Sequence, residues 1–167
     1  MASANHPASE PTGRELLRHT LATLAYRGGK ALRGAPPDFS SYRAGATSRS
    51  AGEILAHLCD LMAWGQRMAR GDKSWADSTP REWGRDVDRF FNEVAAFDAC
   101  LASDDALLAP AERVFQGPIA DALTHVGQIA LLRRLAGHQI RAENYSVAAI
   151  ERGRVGLDQA APKREFD

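Results

Sequence analysis

The sequence has few cysteines, no long apolar run and no excess of charge of either sign. Its two cysteines, Cys59 and Cys100, stand far apart and form no C-x-x-C motif, which argues against a disulfide framework. No stretch approaches the roughly 20 uninterrupted apolar residues of a membrane-spanning helix, so no membrane partner is expected. Lys plus Arg total 21 and Asp plus Glu total 21. Because a phosphate backbone demands a basic face, nucleic acid is not an expected partner either.

The first residues lack a targeting pattern as well. The opening MASANHPASEPTG has no basic segment followed by an apolar run, so no secretory signal is predicted, and its small and polar residues indicate a disordered leader over residues 1–11. Together with the scarce cysteines, this favours a cytoplasmic protein. A length of 167 residues suits one domain, which we expect to span residues 12–152. The polar stretch 153–167 is predicted to be a mobile tail.

Helical periodicity is the pattern that the sequence does contain. Apolar residues recur at helical spacing in four segments: 12–33, 50–71, 80–101 and 117–137. Residues 103–116 are expected to form a loop with short turns, and a short helix is expected between residues 144 and 152. No segment alternates convincingly as a strand does. The sequence therefore predicts an all-α protein, a four-helix bundle.

Three of the predicted helices have recognisable starts. Ser50 and Glu53 form a capping-box pattern at the start of the second helix. Pro80 suits the first turn of the third helix, and the pair Gly117-Pro118 is expected to introduce the fourth. These starts fix which residues face the core of the bundle.

Polar residues stand on the inner edges of the second and fourth predicted helices. His57 borders the apolar stripe of the second helix, and Asp121 and His125 lie one turn apart on the fourth. Side chains four positions apart on a helix differ by only about 40° around its axis, so both can converge on one ion. With one ligand from another helix, they form a triad that leaves coordination positions open for water or substrate. These residues are the candidate ligands of a divalent metal.

Ordinary structural roles remain open for the same residues. A D-x-x-x-H pattern on a helix is often only an i,i+4 pair, so Asp121 and His125 could simply bind each other. Glu53 has the capping of Ser50 as its simplest role. Burial of unpaired polar groups costs about 1–3 kcal/mol each, however, and a metal would provide a partner for all three inner residues at once.

Two stretches resemble the DinB-like superfamily, which includes the YfiT-like metal-dependent hydrolases. They are ILAHLCDLMAWGQRM, around His57, and GPIADALTHVGQIALLRRLAG, around His125. The resemblance extends from about residue 14 to residue 145. It implies a four-helix bundle, commonly a homodimer, that holds a divalent ion through one histidine of the second helix and two ligands of the last. His57 matches the first ligand and His125 the last, whereas Asp121 stands where most members carry histidine.

The implied cofactor is a divalent cation, zinc or nickel first, with iron or manganese as alternatives. A divalent ion lowers the pKa of bound water or of a bound thiol. We therefore expect a hydrolase or a low-molecular-weight thiol S-transferase acting on an unknown small molecule, with Glu53 as a candidate base or as a hydrogen-bond acceptor for a metal ligand. Arg133 is the nearest candidate for binding an anionic cosubstrate, although it also suits a helix C-terminus. The alternative is a non-catalytic module that binds metal or a small ligand, or that mediates dimerisation.

Overall fold

The computed structural model describes residues 12–166, most of which are helical. The predicted leader, residues 1–11, lies outside the described residues. Four long helices and one short helix occur in this part of the chain: α1 (Gly13–Leu32), α2 (Ala51–Ala69), α3 (Trp83–Ala102), α4 (Ala111–Val114) and α5 (Ala120–Leu135). The prediction of a predominantly helical protein is confirmed. None of the helices within residues 12–166 combines the length and hydropathy that a bilayer crossing requires.

Capping boxes fix the starts of α1 and α2. At the start of α2 the Glu53 amide donates to the Ser50 hydroxyl, and the Ser50 amide donates to the Glu53 carboxylate at 2.7 Å. Thr12 and Glu15 form the same reciprocal pair before α1. Two orphan donors of the first turn are satisfied in each case, which sets the helix boundary. The predicted start of the second helix is confirmed.

The third helix begins later than predicted. Pro80 does not occupy its first turn, because α3 starts at Trp83 with Glu82 as its N-cap. The reason is local pairing: the Arg81 amide donates to the Asp86 carboxylate at 2.7 Å, which holds the preceding chain outside the helix. Trp83 is buried, so the helix starts where the chain enters the core.

The predicted start of the last helix is also wrong, as is part of the predicted loop before it. Residues 103–110 lack helical structure, but the helix starts with α4 at Ala111 and passes through a π turn, Phe115–Ile119, into α5. Pro118 lies inside this π turn. Proline has no N–H and clashes with the carbonyl four residues earlier, so a wider turn lets the helix pass it without breaking.

The four long helices surround a common apolar core. α2 packs against α3 and α5, and α1 packs against the same two helices. Fully buried side chains from all four fill the space between them: Leu21, Leu24, Leu55, Leu58, Phe90, Phe97 and Ile129. Gly65 allows the close approach of α2 to α3, because a Cβ atom there would lie 2.4 Å from the Phe97 ring.

The C-terminal residues contain the two strands that the sequence did not predict. β1 (Ala142–Glu143) pairs antiparallel with β2 (Glu165–Phe166). Between them, the predicted short helix is reduced to one 3-10 turn, Tyr145–Val147. The Glu143 carboxylate accepts from the Tyr26 hydroxyl at 2.6 Å and from the Lys30 ammonium at 2.7 Å. The strand pair is thereby attached to α1, and the described part of the predicted tail lies beside this helix.

Candidate metal centre

The position of His57 follows from the way α2 is buried. Ile54, Leu58 and Leu61 of this helix face the core. His57 lies at the edge of this apolar face, and its side chain is 18% exposed. The capping box at the N-terminus of α2 fixes the start of the helix and hence the direction in which His57 points.

Asp121 and His125 reach the same edge from α5. Ala122, Val126 and Ile129 are the buried residues of this stretch, so Asp121 and His125 flank the face that packs into the core. The π turn that precedes them approaches α2 closely at Gly117, where a Cβ atom would lie 3.3 Å from the Trp64 ring. Glycine at this position lets the two helices come together beside the candidate ligands.

The three predicted ligands converge in space. His57, Asp121 and His125 each offer one ligand atom, and these atoms all lie within 4.8 Å of one another. One Asp121 carboxylate oxygen lies 3.5 Å from His57 Nε2, and the other lies 3.1 Å from His125 Nδ1. The two imidazole centroids are 4.8 Å apart. The structure therefore brings together the three residues that the sequence singled out.

One nitrogen of His125 has a partner that orients the ring. His125 Nδ1 lies 2.9 Å from the backbone carbonyl of Asp121, one turn earlier in α5. Because a carbonyl can only accept, a hydrogen bond here places the proton on Nδ1 and leaves the lone pair on Nε2. Metal-binding histidines typically use such a bond to fix both their tautomer and their orientation. The pairing fixes the orientation of the His125 ring beside Asp121 and His57.

The donor set fits a divalent transition metal. Two imidazoles and a carboxylate are common ligands of zinc and nickel. Tetrahedral zinc with bonds of about 2.1 Å separates its ligand atoms by about 3.4 Å. The atoms of the triad, at no more than 4.8 Å, are thus about an ångström from that spacing, a change that side-chain torsions can absorb.

The electrostatics of the site keep His57 neutral at physiological pH. Burial lowers its pKa below the ordinary value of 6.5, and the nearby charges of His125 and Arg49 lower it further, against the opposing effect of Asp121. A metal ligand must be the neutral imidazole, so this environment favours ligation over protonation. The depressed pKa also means that little free energy is lost by releasing a proton when a metal binds.

Two clefts open beside His57. The α2–α5 cleft has a volume of about 540 Å³ and is lined by His57, His125, Arg49 and apolar residues of both helices. The loop cleft, of about 470 Å³, is lined by His57, Glu53 and Asp60 of α2 and by residues of the two loops that flank this helix. A small molecule in either cleft would contact the candidate ligands directly.

Glu53 lines the loop cleft, but its carboxylate already has several partners. It accepts from the Ser50 amide in the capping box and pairs with the Arg43 guanidinium at 2.9 Å. The Ser50 amide first and then the Arg43 side chain lower the pKa of Glu53. A carboxylate with a lowered pKa is a weaker base. These contacts support the capping role of Glu53, and its role as a base stays a prediction.

Arg133 lies elsewhere and serves the fold. Its guanidinium is buried and donates to the carbonyls of Ala31 and Arg33 at 2.9 Å and to that of His138 at 3.1 Å. It therefore satisfies the orphan carbonyls at the end of α1. The suggestion that Arg133 binds an anionic cosubstrate is wrong, because its donors face protein carbonyls.

Two loop residues lie beside the triad, a position that the sequence did not predict for them. The Trp75 ring lies 5.6 Å from that of His57, measured between centroids, and 5.6 Å from that of Trp64. Arg49 lines both clefts. Both residues are in loops, where no periodicity indicates the direction of a side chain. The one available clue was position: Arg49 directly precedes the capping residue of the helix that carries His57.

Comparison of this chain with protein-family models, with curated proteins and with solved structures found no match.

Proposed function

We propose that this protein is a divalent-metal-dependent enzyme, a hydrolase or a low-molecular-weight thiol S-transferase, built on a four-helix bundle of the DinB-like type. His57, Asp121 and His125 are the metal ligands. The observation that carries this proposal is the convergence of their donor atoms, all within 4.8 Å, from two helices that the core fixes in place. The resemblance around His57 and His125 agrees with it.

The environment of the triad favours a catalytic site over a structural one. Structural zinc is normally enclosed by four protein ligands, whereas catalytic zinc has three and an open position. Only three candidate ligands converge among the described residues, and the Asp121 side chain is 44% exposed. The two adjoining clefts leave space for a substrate at the open position.

The chain's own residues would prepare the site for this chemistry. A divalent ion held here would supply a Lewis acid that lowers the pKa of a bound water molecule or thiol. His57 is already neutral at pH 7 because its pKa is lowered. The carbonyl of Asp121 holds the His125 ring in one orientation. The Trp75 ring lies beside His57, with 5.6 Å between the ring centroids.

A second candidate function rests on the carboxylate of Asp121. Its two oxygens lie beside His57 Nε2 and His125 Nδ1, at 3.5 Å and 3.1 Å. The same arrangement would suit a non-catalytic module, either for small ligands or for dimerisation, in which the triad is an internal polar cluster. Homodimerisation through an unassigned surface and a cytoplasmic location remain parts of the proposal that come from the sequence.

Metal content separates a metal-binding site from a module in which the triad is only an internal polar cluster. Protein purified without chelator is analysed by inductively coupled plasma mass spectrometry, together with His57→Ala, His125→Ala and the control His138→Ala. His138 is an exposed histidine outside the triad. We expect about one equivalent of zinc, nickel, iron or manganese in the parent and in the control, and a loss of metal in the two triad variants. A parent that stays metal-free after incubation with these ions would overturn the enzyme proposal and favour the non-catalytic module.

A further inference from the structure

The α2–α5 cleft has two chemically different parts. Ile54, Leu131 and Leu132 give it an apolar wall, and His57 and His125 line it where the triad lies. Arg49 is the one permanently charged side chain among the described residues that line it. The cleft therefore offers an apolar surface, a cation and the candidate metal centre to the same small molecule.

Arg49 has no partner of its own within residues 12–166. Its guanidinium forms no hydrogen bond and no ion pair with the described residues. The neighbouring Arg43 is different, because it pairs with Glu53 at 2.9 Å and donates to the Ser48 carbonyl at 2.6 Å. Of these two loop arginines beside the site, only Arg49 retains a full set of donors for a ligand.

The acidic residues near Arg49 are already engaged. Among the residues lining the loop cleft, Glu53 pairs with Arg43, and Asp60 pairs with Arg89 at 2.6 Å. Asp77 accepts from the Trp75 indole N–H at 2.9 Å. The charge of Arg49 also reaches the triad, since it contributes to the lowered pKa of His57. None of these three carboxylates pairs with Arg49, which lines the cleft where a substrate would bind.

We infer that the α2–α5 cleft binds a small organic anion. Its carboxylate or phosphate group pairs with Arg49, its apolar body lies on Ile54, Leu131 and Leu132, and its reacting group is presented to His57, Asp121 and His125. The guanidinium fork matches the oxygens of both anionic groups. A volume of about 540 Å³ suits a small molecule. This inference rests on the proposed function, for which it names the class of substrate.

The test uses probes of one chain length that differ in charge: hexanoate, hexyl phosphate and the neutral hexanamide. Binding is measured by amide chemical-shift titration at pH 8, where imidazoles are neutral. Each titration is run on protein as purified and again after treatment with a chelator. The variants are Arg49→Gln and the control Arg134→Gln. Arg134 is an exposed arginine of α5 that lines neither cleft, so both variants change the net charge equally.

We expect the parent to bind at least one of the two anions more tightly than hexanamide. Arg49→Gln should weaken that binding by about tenfold or more and leave hexanamide unaffected, since a hydrogen bond to a charged group contributes at least that much. Arg134→Gln should bind as the parent does. Whichever anion binds more tightly identifies the carboxylate or the phosphate as the natural group.

Equal affinities of Arg49→Gln and the parent for both anions would overturn the inference, as would an equal loss in Arg134→Gln. The metal content of Arg49→Gln should match that of the parent, because Arg49 is not a ligand. Failure of the metal proposal can therefore be told apart from failure of this inference. A metal-free parent that still binds hexanoate through Arg49 would have the anion site but not the metal centre.

Discussion

Asp60, three residues after His57 on α2, and Asp121, which approaches His57 from α5, have very different surroundings. Asp60 is buried and accepts three hydrogen bonds, from the Ser78 amide at 2.8 Å, the Ser78 hydroxyl at 2.5 Å and the Arg89 guanidinium at 2.6 Å. Asp121 is half-exposed, and its carboxylate lies 3.1 Å and 3.5 Å from two imidazoles. One carboxylate has its lone pairs filled by permanent donors, and the other does not.

The difference separates a structural carboxylate from one that can bind a ligand. The bonds of Asp60 attach the loop that carries Ser78 to α2, and a metal would have to compete with these three donors for the carboxylate. The contacts of Asp121 with the two imidazoles, at 3.1 Å and 3.5 Å, are longer, so a divalent ion can replace them at less cost. The number of hydrogen bonds that each carboxylate already accepts therefore indicates its role better than its nearness to His57.

The largest effect on stability is expected from Asp60→Ala. Its loss leaves Arg89 as a buried charge without its partner, which typically costs about 3–5 kcal/mol. Asp121→Ala should cost less than about 1 kcal/mol, because Asp121 is half-exposed. Urea unfolding followed by circular dichroism measures both. Similar losses of unfolding free energy in the two variants would contradict the comparison.

For metal affinity we expect the opposite order, with a larger loss in Asp121→Ala than in Asp60→Ala. Mutation of residues that merely orient a ligand weakens metal binding by about 10- to 100-fold, so loss of the Asp121 carboxylate itself should weaken it by about 100-fold or more. Asp121→His supplies the ligand that the resembling sequences carry and should keep the metal. Competition with a chromophoric chelator gives the affinities. Asp121→Ala with the affinity of the parent would remove Asp121 from the ligand set.

A smaller effect is expected from Glu53→Ala. This variant loses half of the capping box and the exposed Arg43 ion pair, so the free energy of unfolding should fall, but by much less than in Asp60→Ala. Its metal content should equal that of the parent. The matched control is Glu15→Ala, which removes the equivalent residue of the α1 capping box, far along the sequence from the triad. Loss of metal from Glu53→Ala alone would give Glu53 a role at the site beyond capping.

The smallest effect is expected from pH. Because the pKa of His57 is lower in the folded protein than its ordinary value of 6.5, the unfolded chain binds more protons between these two values. The free energy of unfolding of the metal-free protein should therefore fall as the pH falls through about 6.5, and this loss should end below the folded pKa. The His57→Gln variant should lack this part of the pH-dependent fall in the free energy of unfolding. Urea unfolding from pH 8 to pH 5 would show it, and identical pH profiles for the two proteins would contradict the lowered pKa.

The helices and the triad were accessible from the sequence because regular spacing determines direction. The capping box at Ser50 fixes the start of α2, and the apolar stripe then places His57 at the inner edge. The i,i+4 spacing of Asp121 and His125 gives the same result for α5 even though its start was misplaced, because both residues lie on one uninterrupted stretch of helix. Relative positions within a helix remain correct when its boundary is wrong.

Residues outside regular spacing were not accessible. Trp75 and Arg49 reach the site only because tertiary bonds hold their loops, such as those between Ser78 and Asp60. The start of α3 was misplaced for the same reason, since the Arg81 amide pairs with Asp86 instead of entering the helix. Pro118 indicated the start of a helix, but it lies inside a π turn, through which the helix continues without a break.

The π turn before α5 also determines whether Asp121 faces the core or the surface. Residues seven positions apart in an unbroken α-helix differ by only about 20° in helical phase. Asp121 would then share the direction of Val114, which is fully buried. The extra residue of the π turn changes that phase by about 100° and brings Val126 to the face of Val114 instead. Without this extra residue, the Asp121 carboxylate would point into the apolar core. With it, the carboxylate lies where water and substrate can reach it.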